Sequence, residues 1–558
     1  MESVSIEQRG PGTVSEAEDP ALGLSQRAKF EILGAVLLGL FLGALDQTIV
    51  GPVLPRIVSD LKGADYYTWA VAIYLLTSTV TVPIYGKLSD LYGRKQLLVG
   101  GIVLFLIGSA LSGLSQEMWQ LILFRGIQGI GAGALFPISL AVIGDLFTPA
   151  ERGKYQGLFG LVFGVAFLLG PGLGGLLTDQ LSWHWIFFVN IPIGLVALAV
   201  IGRLLPNMGR TGRKVRVDYL GVVTLVLALV PILLGFTFAE SGNWGDASVW
   251  GWILVGLVFL VIFVIVEGRA TEPIIPLHLF RIRSFTVSMI AVFTAMFGFF
   301  GAVVFLPLWY QVVQGASPTA SGYKLLPFLG GLIFSSIVSG QVVSRTGRYK
   351  WLAVGALALA AVGVLLMTNL RADTPDSTLW IWMALAGLGI GPSMAVFTII
   401  VQNAVPFSEL GAATSDLTLF RQIGGTVGLT LAFTLFRNFL SWDAIRTQLV
   451  AAGAPAQFVP STPPNGFDTG QLTSVGGSGP TFVSQIPAQF QATFLDGFHR
   501  AFSIALANSM WLGVGALAIA AFSVAFLHEQ PLRQHFGEAA ERPEDRATHP
   551  GGVAVSLD

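Results

Sequence analysis

The sequence predicts an all-α integral membrane protein with fourteen transmembrane helices, arranged as two six-helix bundles and two inserted helices. Three observations support this: the composition, the number of long apolar runs, and a repeat that relates the two ends of the chain. Hydrophobic residues make up 53% of the 558 residues and charged residues 11%, whereas soluble proteins contain roughly a quarter charged residues. Most of the chain is therefore predicted to lie in lipid.

Fourteen apolar runs are long enough to cross a bilayer, since a helix needs about 20 apolar residues to span the hydrocarbon core. The predicted spans lie near residues 31–52, 66–85, 97–115, 119–142, 153–178, 183–205, 219–239, 250–267, 285–310, 321–342, 351–370, 378–401, 411–437 and 500–527. Because fourteen is an even number, both termini are expected on one side of the membrane.

Basic residues indicate which side that is. The loops after even-numbered spans are basic, as in Lys87, Arg94 and Lys95, whereas the loops after the third, fifth, seventh and ninth spans contain no lysine or arginine. The positive-inside rule then places the basic loops and both termini in the cytoplasm. We expect a multi-pass plasma-membrane protein with polar cytoplasmic tails at 1–29 and 528–558, the first being too long and too acidic for a signal peptide.

A polar island between two apolar runs occurs twice in the chain. Residues 86–95 read Gly-Lys-Leu-Ser-Asp-Leu-Tyr-Gly-Arg-Lys, and residues 340–350 repeat their two glycines and the arginine 254 positions later. Internal repeats of this kind are common in transporter folds. In the second copy Ser344 stands in place of Asp90, so the two loops are not chemically equivalent.

The same offset relates the first span to the ninth and the third to the eleventh. The repeat therefore predicts an N-terminal bundle at 30–205, a linker with spans seven and eight at 206–284, and a C-terminal bundle at 285–527. Residues 438–499 interrupt the second bundle and are rich in Pro, Gly, Ser, Thr and Gln. This composition indicates a flexible external loop, which could be a solvated linker without a function.

Several functions are not indicated by the sequence. It contains no cysteine, which excludes disulfides and thiolate chemistry, and its formal net charge of -1 gives no sign of nucleic-acid binding. No Gly-x-x-x-x-Gly-Lys-Ser/Thr loop precedes a helix, so ATP is not the indicated energy source. The spans contain no histidine cluster and no nucleophile with a base. We therefore predict neither an enzyme nor a bound cofactor or metal.

Five segments, each on a different predicted span or loop, resemble a known family. They are residues 86–95, Leu-Phe-Arg-Gly-Ile-Gln-Gly-Ile-Gly-Ala-Gly at 123–133, the Gly-Pro run at 160–175, Leu-Asp-Gln-Thr-Ile-Val at 45–50, and Ser-Trp-His-Trp-Ile-Phe-Phe-Val-Asn-Ile-Pro-Ile-Gly at 182–194. The first three resemble motifs of the major facilitator superfamily, and the last two resemble its fourteen-helix drug:proton antiporter branch. Two positions depart from the branch, since Gly51 replaces an asparagine and His184 replaces a common arginine.

Charged residues inside the spans carry the functional hypotheses, because a charge in the bilayer costs a few kcal/mol. Asp46 and Arg125 each lie about six residues, or about 9 Å, from the predicted external ends of their helices. We expect them to face one cavity, with Asp46 exchanging a proton and Arg125 stabilising its charge. The alternative is a permanent structural ion pair.

A second polar set lies on the thirteenth span, where Arg421 falls near mid-membrane. A cavity-facing role is expected for Arg421, whereas Asp416 is close enough to the cytoplasmic end to be solvated instead. Aromatic side chains could line an apolar substrate cavity, although most aromatics in membrane proteins pack or lie at interfaces. The predicted substrate-cavity residues are Gln47, Gln128, Asp416, Arg421, Gln422, Trp309 and Tyr310.

Two further motifs suggest how the halves move. Charges in the loop at 86–95, with the helix-end dipoles, are expected to form a conformational latch that holds the outward-facing state through Gly86, Asp90, Gly93 and Arg94. The glycines of the Gly-Pro run leave one helix side nearly without side chains, and proline favours a bend. The resemblance implies that Gly164, Gly170, Pro171, Gly174 and Gly175 form an antiporter motif; simple close packing is the alternative.

The predicted function is proton-coupled efflux of lipophilic or cationic small molecules, of the multidrug type, by alternating access. Its partners are the small-molecule substrate, protons and the lipid bilayer; no nucleic acid is expected, and the protein is predicted to be a monomer. An exporter of lipid or of an endogenous metabolite on the same scaffold is the first alternative. The second is a membrane adaptor or receptor without transport, which the presence of Asp46, Arg125 and the Gly-Pro run disfavours.

Overall fold

A computed structural model of the chain describes an all-helical protein, and its described residues contain no β-strand. The predicted tails lie largely outside these residues, as does much of the predicted loop at 438–499. The described residues are 24–62, 66–206, 217–241, 244–455, 459–463 and 487–532.

The described part of the chain contains eighteen α-helices, and fourteen of its stretches are long and apolar enough to cross a membrane. The predicted number of spans is therefore confirmed. The helices are α1 Gln26–Asp60, α2 Tyr67–Tyr92, α3 Arg94–Gly113, α4 Met118–Leu146, α5 Pro149–Gln156, α6 Leu158–Gln180, α7 Trp185–Phe188, α8 Asn190–Leu204, α9 Tyr219–Ser241, α10 Ala247–Glu267, α11 Arg283–Gln314, α12 Pro318–Tyr323, α13 Leu326–Thr346, α14 Lys350–Met367, α15 Asp376–Ala404, α16 Leu410–Phe439, α17 Trp442–Ala451 and α18 Ala488–Ala525.

Some boundaries differ from the prediction. The fifth, sixth and tenth spans are each built from two helices, α5 with α6, α7 with α8 and α12 with α13. The last span begins at Ala488 instead of residue 500, because the helix starts with a more polar segment that includes Gln491 and Asp496. Helix α17 also lies inside the predicted loop, and its Trp442 and Leu449 are buried.

The helices pack around several apolar cores. One core contains residues between Ile32 and Leu205, and the largest contains residues between Leu279 and Leu527. Close approach of helices depends on small residues, since a Cβ on Gly131 of α4 would lie 2.3 Å from the backbone nitrogen of Phe105 on α3.

Helix α9, which packs on α10, contacts both α2 and α16. A third core joins Leu76 of α2, Leu229 of α9 and Leu419 of α16. Near the end predicted to be cytoplasmic, Lys87 of α2 forms a 2.8 Å ion pair with Glu272, which follows α10. The inserted helices therefore cover the flank where α2 meets α16.

The helices that precede α9 and the helices that follow α10 form two sets, which meet closely at the predicted cytoplasmic end. A Cβ on Gly86 of α2 would lie 2.0 Å from the Ser415 Oγ of α16. On the other flank, the Gln156 amide of α5 donates a 2.7 Å hydrogen bond to the Gln402 side chain of α15. This end is therefore closed on both flanks.

Candidate functional site

A buried polar centre surrounds Asp46 on α1. Its side chain is fully buried, and its Oδ2 accepts a 2.5 Å charge-assisted hydrogen bond from Arg125 Nη1 of α4. The other oxygen, Oδ1, accepts from Gln128 Nε2 at 2.8 Å and from Asn190 Nδ2 at 3.1 Å. Two helices, α4 and α8, thus supply three donors to one carboxylate on α1.

Arg125 is equally enclosed, with a side chain that is 2% exposed. Its Nη1 also donates to Gln128 Oε1 at 2.9 Å, and its Nε donates to the Ala70 carbonyl oxygen at 3.4 Å. The guanidinium carbon lies 4.2 Å from the centroid of the Tyr74 ring, a cation–π distance. The cation is therefore held by α1, α2 and α4 together.

Asn190 is the member of this centre that the sequence reasoning did not identify. Its Nδ2 also contacts Ser109 Oγ at 3.1 Å, and Ser109 donates to the Phe187 carbonyl oxygen at 2.9 Å. The available signal was a lone amide in the apolar run of α8, because a buried amide needs a polar partner. Asn190 lies in the segment at 182–194 that resembles the family, but no role was predicted for it.

Charge-assisted hydrogen bonds of this kind stabilise a carboxylate in apolar surroundings. A proton on Asp46 would remove the charge that Arg125 faces and would weaken all three contacts. Among the described residues, no group of three or more His, Cys, Asp or Glu could hold a metal ion.

A second charged centre lies where α2 meets α3. The predicted loop at 86–95 is helical except at Gly93, so Asp90 lies in the last turn of α2 and Arg94 begins α3. The Asp90 oxygens accept from the backbone nitrogens of Gly411 at 3.0 Å and Ala412 at 2.8 Å, at the start of α16. Arg94 contacts Asp90 at 2.5 Å and Asp145 of α4 at 2.9 Å. A carboxylate at a helix N-terminus is stabilised by the unpaired backbone N–H groups and the helix dipole.

Glycines permit this contact. Gly93 has a φ of 99° between α2 and α3, a conformation that other residues rarely adopt. In the second copy, a Cβ on Gly340 of α13 would lie 2.0 Å from the Gly153 carbonyl oxygen of α5. Both repeat segments therefore lie at close contacts between the two sets of helices. Only the first segment provides a carboxylate.

The Gly-Pro run of α6 faces two different partners. A Cβ on Gly170 would lie 2.2 Å from Thr48 Oγ1 of α1, and one on Gly174 would lie 2.8 Å from the Ile49 carbonyl oxygen. By contrast, a Cβ on Gly164 would lie 2.2 Å from the Ile333 side chain of α13.

The remaining residues of the run, Pro171 and Gly175, lie near α12. A Cβ on Gly322 would lie 3.5 Å from the Pro171 ring, and one on Gly175 would lie 3.7 Å from Thr319 Oγ1. Along its length, helix α6 thus packs closely against α1 and also against α12 and α13.

The polar residues of α16 do not form one cluster. Arg421 is half-buried, and its Nη2 lies 3.5 Å from the Ser393 carbonyl oxygen of α15. Asp416 is fully buried, and neither of its oxygens has a hydrogen-bond partner. The Gln422 Oε1 is also buried without one. No hydrogen bond therefore links Asp416 to Arg421.

The predicted cavity residues outside α16 are dispersed as well. Trp309 and Tyr310 are fully buried in the large core, and Trp309 Nε1 donates to Ser503 Oγ at 2.9 Å. Apolar packing, not an open cavity surface, therefore surrounds them. Gln128 belongs to the Asp46 centre, whereas the Gln47 side chain is exposed.

His184 lies just outside the span that begins at Trp185. Its ring stacks on Trp183 with centroids 3.7 Å apart. Burial lowers the pKa of His184 below its usual value, and nearby Asp60 only partly opposes this. His184 is therefore neutral near pH 7 and adds no positive charge there.

Comparisons with known proteins all indicate the same family. The chain matches the model of the Major Facilitator Superfamily over residues 36–429. It is 36% identical over 527 residues to the multidrug transporter protein MdtP of Bacillus subtilis, covering 92% of this chain and 96% of that protein. It is 37% identical over 452 residues to multidrug resistance protein 3 of the same organism, covering 80% and 88%.

Solved structures share the fold. The human organic anion transporter MFSD10 superposes with a TM-score of 0.56 at 15% identity, covering 88% of this chain and 99% of that one. The proton:xylose symporter XylE gives a TM-score of 0.55 at 15% identity, covering 89% and 95%.

The Asn190→Leu variant should unfold at a lower temperature than the wild type. It removes one donor from Asp46 Oδ1, and leaving a buried charged acceptor short of a partner costs about 1–3 kcal/mol. The check is thermal unfolding of the detergent-solubilised protein at neutral pH. Ser112→Ala is the control, because it removes a buried hydroxyl that has no hydrogen-bond partner. Equal stability of the two variants would contradict a stabilising role for Asn190.

The Gly170→Ala variant should also be less stable, by about 1–3 kcal/mol, because its methyl group would force α6 away from α1. The matched control is Gly39→Ala on α1, where a Cβ meets nothing within 4 Å. Alanine there should be neutral or stabilising by up to about 1 kcal/mol. Comparison of the two unfolding temperatures tests the contact, and equal values would mean that the helices tolerate a methyl group.

Proposed function

The chain belongs to the Major Facilitator Superfamily, and we propose that it is an exporter that exchanges lipophilic or cationic small molecules for protons. Family and fold identify a transporter and not an enzyme, and its fourteen spans fit the fourteen-helix branch. We further propose that it lies in the plasma membrane with both termini in the cytoplasm, as the positive-inside rule predicts.

Proton exchange is proposed on one observation, the enclosed Asp46 carboxylate with its three donors. Arg125, Gln128 and Asn190 reach it from α4 and α8. Ionised, the carboxylate holds these helices against α1. Protonated, it attracts Arg125 only weakly, so the helices can rearrange. Asp46 would load a proton from one side of the membrane and release it to the other.

The second proposed element is the latch at the cytoplasmic end. Asp90, in the last turn of α2, accepts hydrogen bonds from the first backbone N–H groups of α16. Alternating access requires the cytoplasmic end to open when the external end closes. In the proposed cycle, Asp90 and Arg94 favour the state that is closed to the cytoplasm, and their separation exposes the substrate path.

The substrate class rests on relatives whose names describe multidrug transport. Of the polar groups predicted to line the substrate path, Gln47 is exposed and Arg421 is half-buried near mid-membrane. We propose these two, with Gln422, as polar contacts in a mainly apolar path. Gln128 supports proton exchange instead, through its contact with Asp46.

Asp46→Asn should abolish stimulation of efflux by a pH gradient. The neutral amide keeps the size of the carboxyl group but cannot exchange a proton. Purified protein in liposomes, loaded with a fluorescent lipophilic cation, would be tested with and without an imposed gradient. The control is Asp443→Asn, since Asp443 is exposed on α17. Full gradient-driven efflux by Asp46→Asn would contradict the proton-exchange role.

Asp90→Asn should shift the protein toward the state that is open to the cytoplasm. Losing a hydrogen bond to a charged group costs about 1.5–3 kcal/mol, which is roughly tenfold or more in the equilibrium. Because the chain contains no cysteine, spin labels can be placed through Gln96→Cys on α3 and Arg345→Cys on α13, where both residues are exposed.

The distance between those labels should lengthen in the Asp90→Asn variant. Asp179→Asn is the control, because Asp179 is exposed at the C-terminal end of α6, on the predicted external side of the membrane. An unchanged distance distribution would mean that the loop is only a turn between helices.

A further inference from the structure

Three buried carboxyl groups lie in the region where the inserted helices approach α16, and two of them converge on each other. Asp416 lies on α16, Glu267 ends α10, and Asp218 precedes α9. Asp416 and Glu267 are 0% and 3% exposed. All three keep side-chain oxygens that are buried without a hydrogen-bond donor. We call this group the acidic cluster.

Asp416 is the least compensated member of the cluster. Both of its oxygens are buried and neither accepts a hydrogen bond. Its neighbours are acidic: Asp90 binds the backbone nitrogen of Ala412, one helical turn before Asp416, and Glu267 also disfavours a charge on Asp416. Nearby cations are already paired, since Arg94 binds Asp90 and Asp145, and Lys87 binds Glu272.

Glu267 and Asp218 form a pair of acceptors. Glu267 Oε1 accepts a 2.5 Å hydrogen bond from the Ile275 backbone nitrogen, and Asp218 Oδ1 accepts one from the Gly221 nitrogen at 2.8 Å. Their remaining oxygens converge on Gly221, where a Cβ would lie 2.4 Å from Asp218 Oδ2 and 2.8 Å from Glu267 Oε2. Two acceptors can approach each other in this way when one carries a proton.

The ionised form of these carboxyl groups is costly to bury. An isolated carboxylate in an apolar interior is so unfavourable that it takes up a proton, and neighbouring carboxylates discourage ionisation further. A shared proton would supply the donor that the facing oxygens of Asp218 and Glu267 lack, and a proton on Asp416 would remove its unpaired charge.

We propose that the acidic cluster is a second proton-binding site, separate from Asp46, which holds protons while the cytoplasmic end is closed. This inference rests on the proposed alternating-access function, and it gives the inserted helices a role in that function. When α2 and α16 separate, Asp416 becomes hydrated and releases its proton to the cytoplasm. The cluster thus senses cytoplasmic pH and adds no proton to the exchange across the membrane.

The cluster is directly connected to the proposed latch. Asp416 lies one helical turn beyond Ala412, whose backbone nitrogen binds Asp90. An ionised Asp416 would repel Asp90 at the closed contact, whereas a protonated one would not. Low cytoplasmic pH should therefore favour the closed state, and the preference should be lost as pH rises and the cluster ionises.

The test measures the closed-to-open ratio against pH without substrate, using the Gln96→Cys and Arg345→Cys labels. Each proton released on opening changes the ratio by up to about tenfold per pH unit. In the wild type the closed fraction should fall as pH rises. Asp416→Asn, which mimics the protonated acid, should remain closed across the range. Glu267→Gln should reduce the slope, and Glu31→Gln, at an exposed acid on α1, should leave it unchanged.

A second measurement covers the case in which the labels perturb the protein. Thermal unfolding of unlabelled Asp416→Asn at alkaline pH should occur several degrees above that of the wild type, because an unpaired buried charge is removed. Equal pH slopes in the wild type and Asp416→Asn would overturn the inference. So would a slope that sodium ions, and not protons, control.

The Asp46→Asn variant separates this inference from the proposed function. If gradient-driven efflux is absent from every variant but the conformational slope still depends on Asp416, proton exchange fails and the second site stands. If Asp46→Asn abolishes the whole slope, the acidic cluster is not a proton site.

Discussion

The contact between Asp46 and Arg125 is the interaction on which the transport account depends. Neither side chain could remain charged alone at its depth, because the unpaired charge would lose its hydration without compensation. Their pairing, with Gln128 and Asn190, joins helices α1, α4 and α8. A change at this one carboxyl group is therefore felt by three helices at once.

Close backbone contacts carry such a change toward the ends of the helices. Thr48 lies half a turn beyond Asp46 on α1, and its hydroxyl donates to the Ala166 carbonyl oxygen of α6 at 2.9 Å. Helix α6 in turn packs on α13 through Gly164. On the opposite flank α2 meets α16 at Gly86 and Asp90. Interfaces packed this closely change between discrete arrangements and do not deform gradually.

The inserted helices α9 and α10 pack against this interface as well. Their core reaches both α2 and α16, and the ion pair between Lys87 and Glu272 fixes them at the latch end. The acidic cluster lies in the same place. A device that favours the closed state at low cytoplasmic pH would limit exposure of the transport path when protons are abundant inside. The exchange of one proton at Asp46 does not require it.

The sequence predicted what depends on length, composition and spacing. Apolar run length specified fourteen spans, and matched depth indicated that Asp46 and Arg125 could meet. It could not specify which way a helix faces, because lipid-facing and core-facing positions are both apolar in a membrane. Trp309 was therefore assigned to a cavity although it packs in the core, and the surroundings of Asp416 were not foreseen. Asn190 was missed because its partner lies 144 positions away.

Infrared difference spectroscopy across a pH titration tests proton exchange at Asp46, because a protonated carboxyl group has its own C=O stretching band. A band should appear on acidification of the wild type and be absent from Asp46→Asn, with the bands of the acidic cluster retained. Identical difference spectra for the two proteins would show that Asp46 stays ionised throughout, as a permanent structural ion pair would, and would contradict the account.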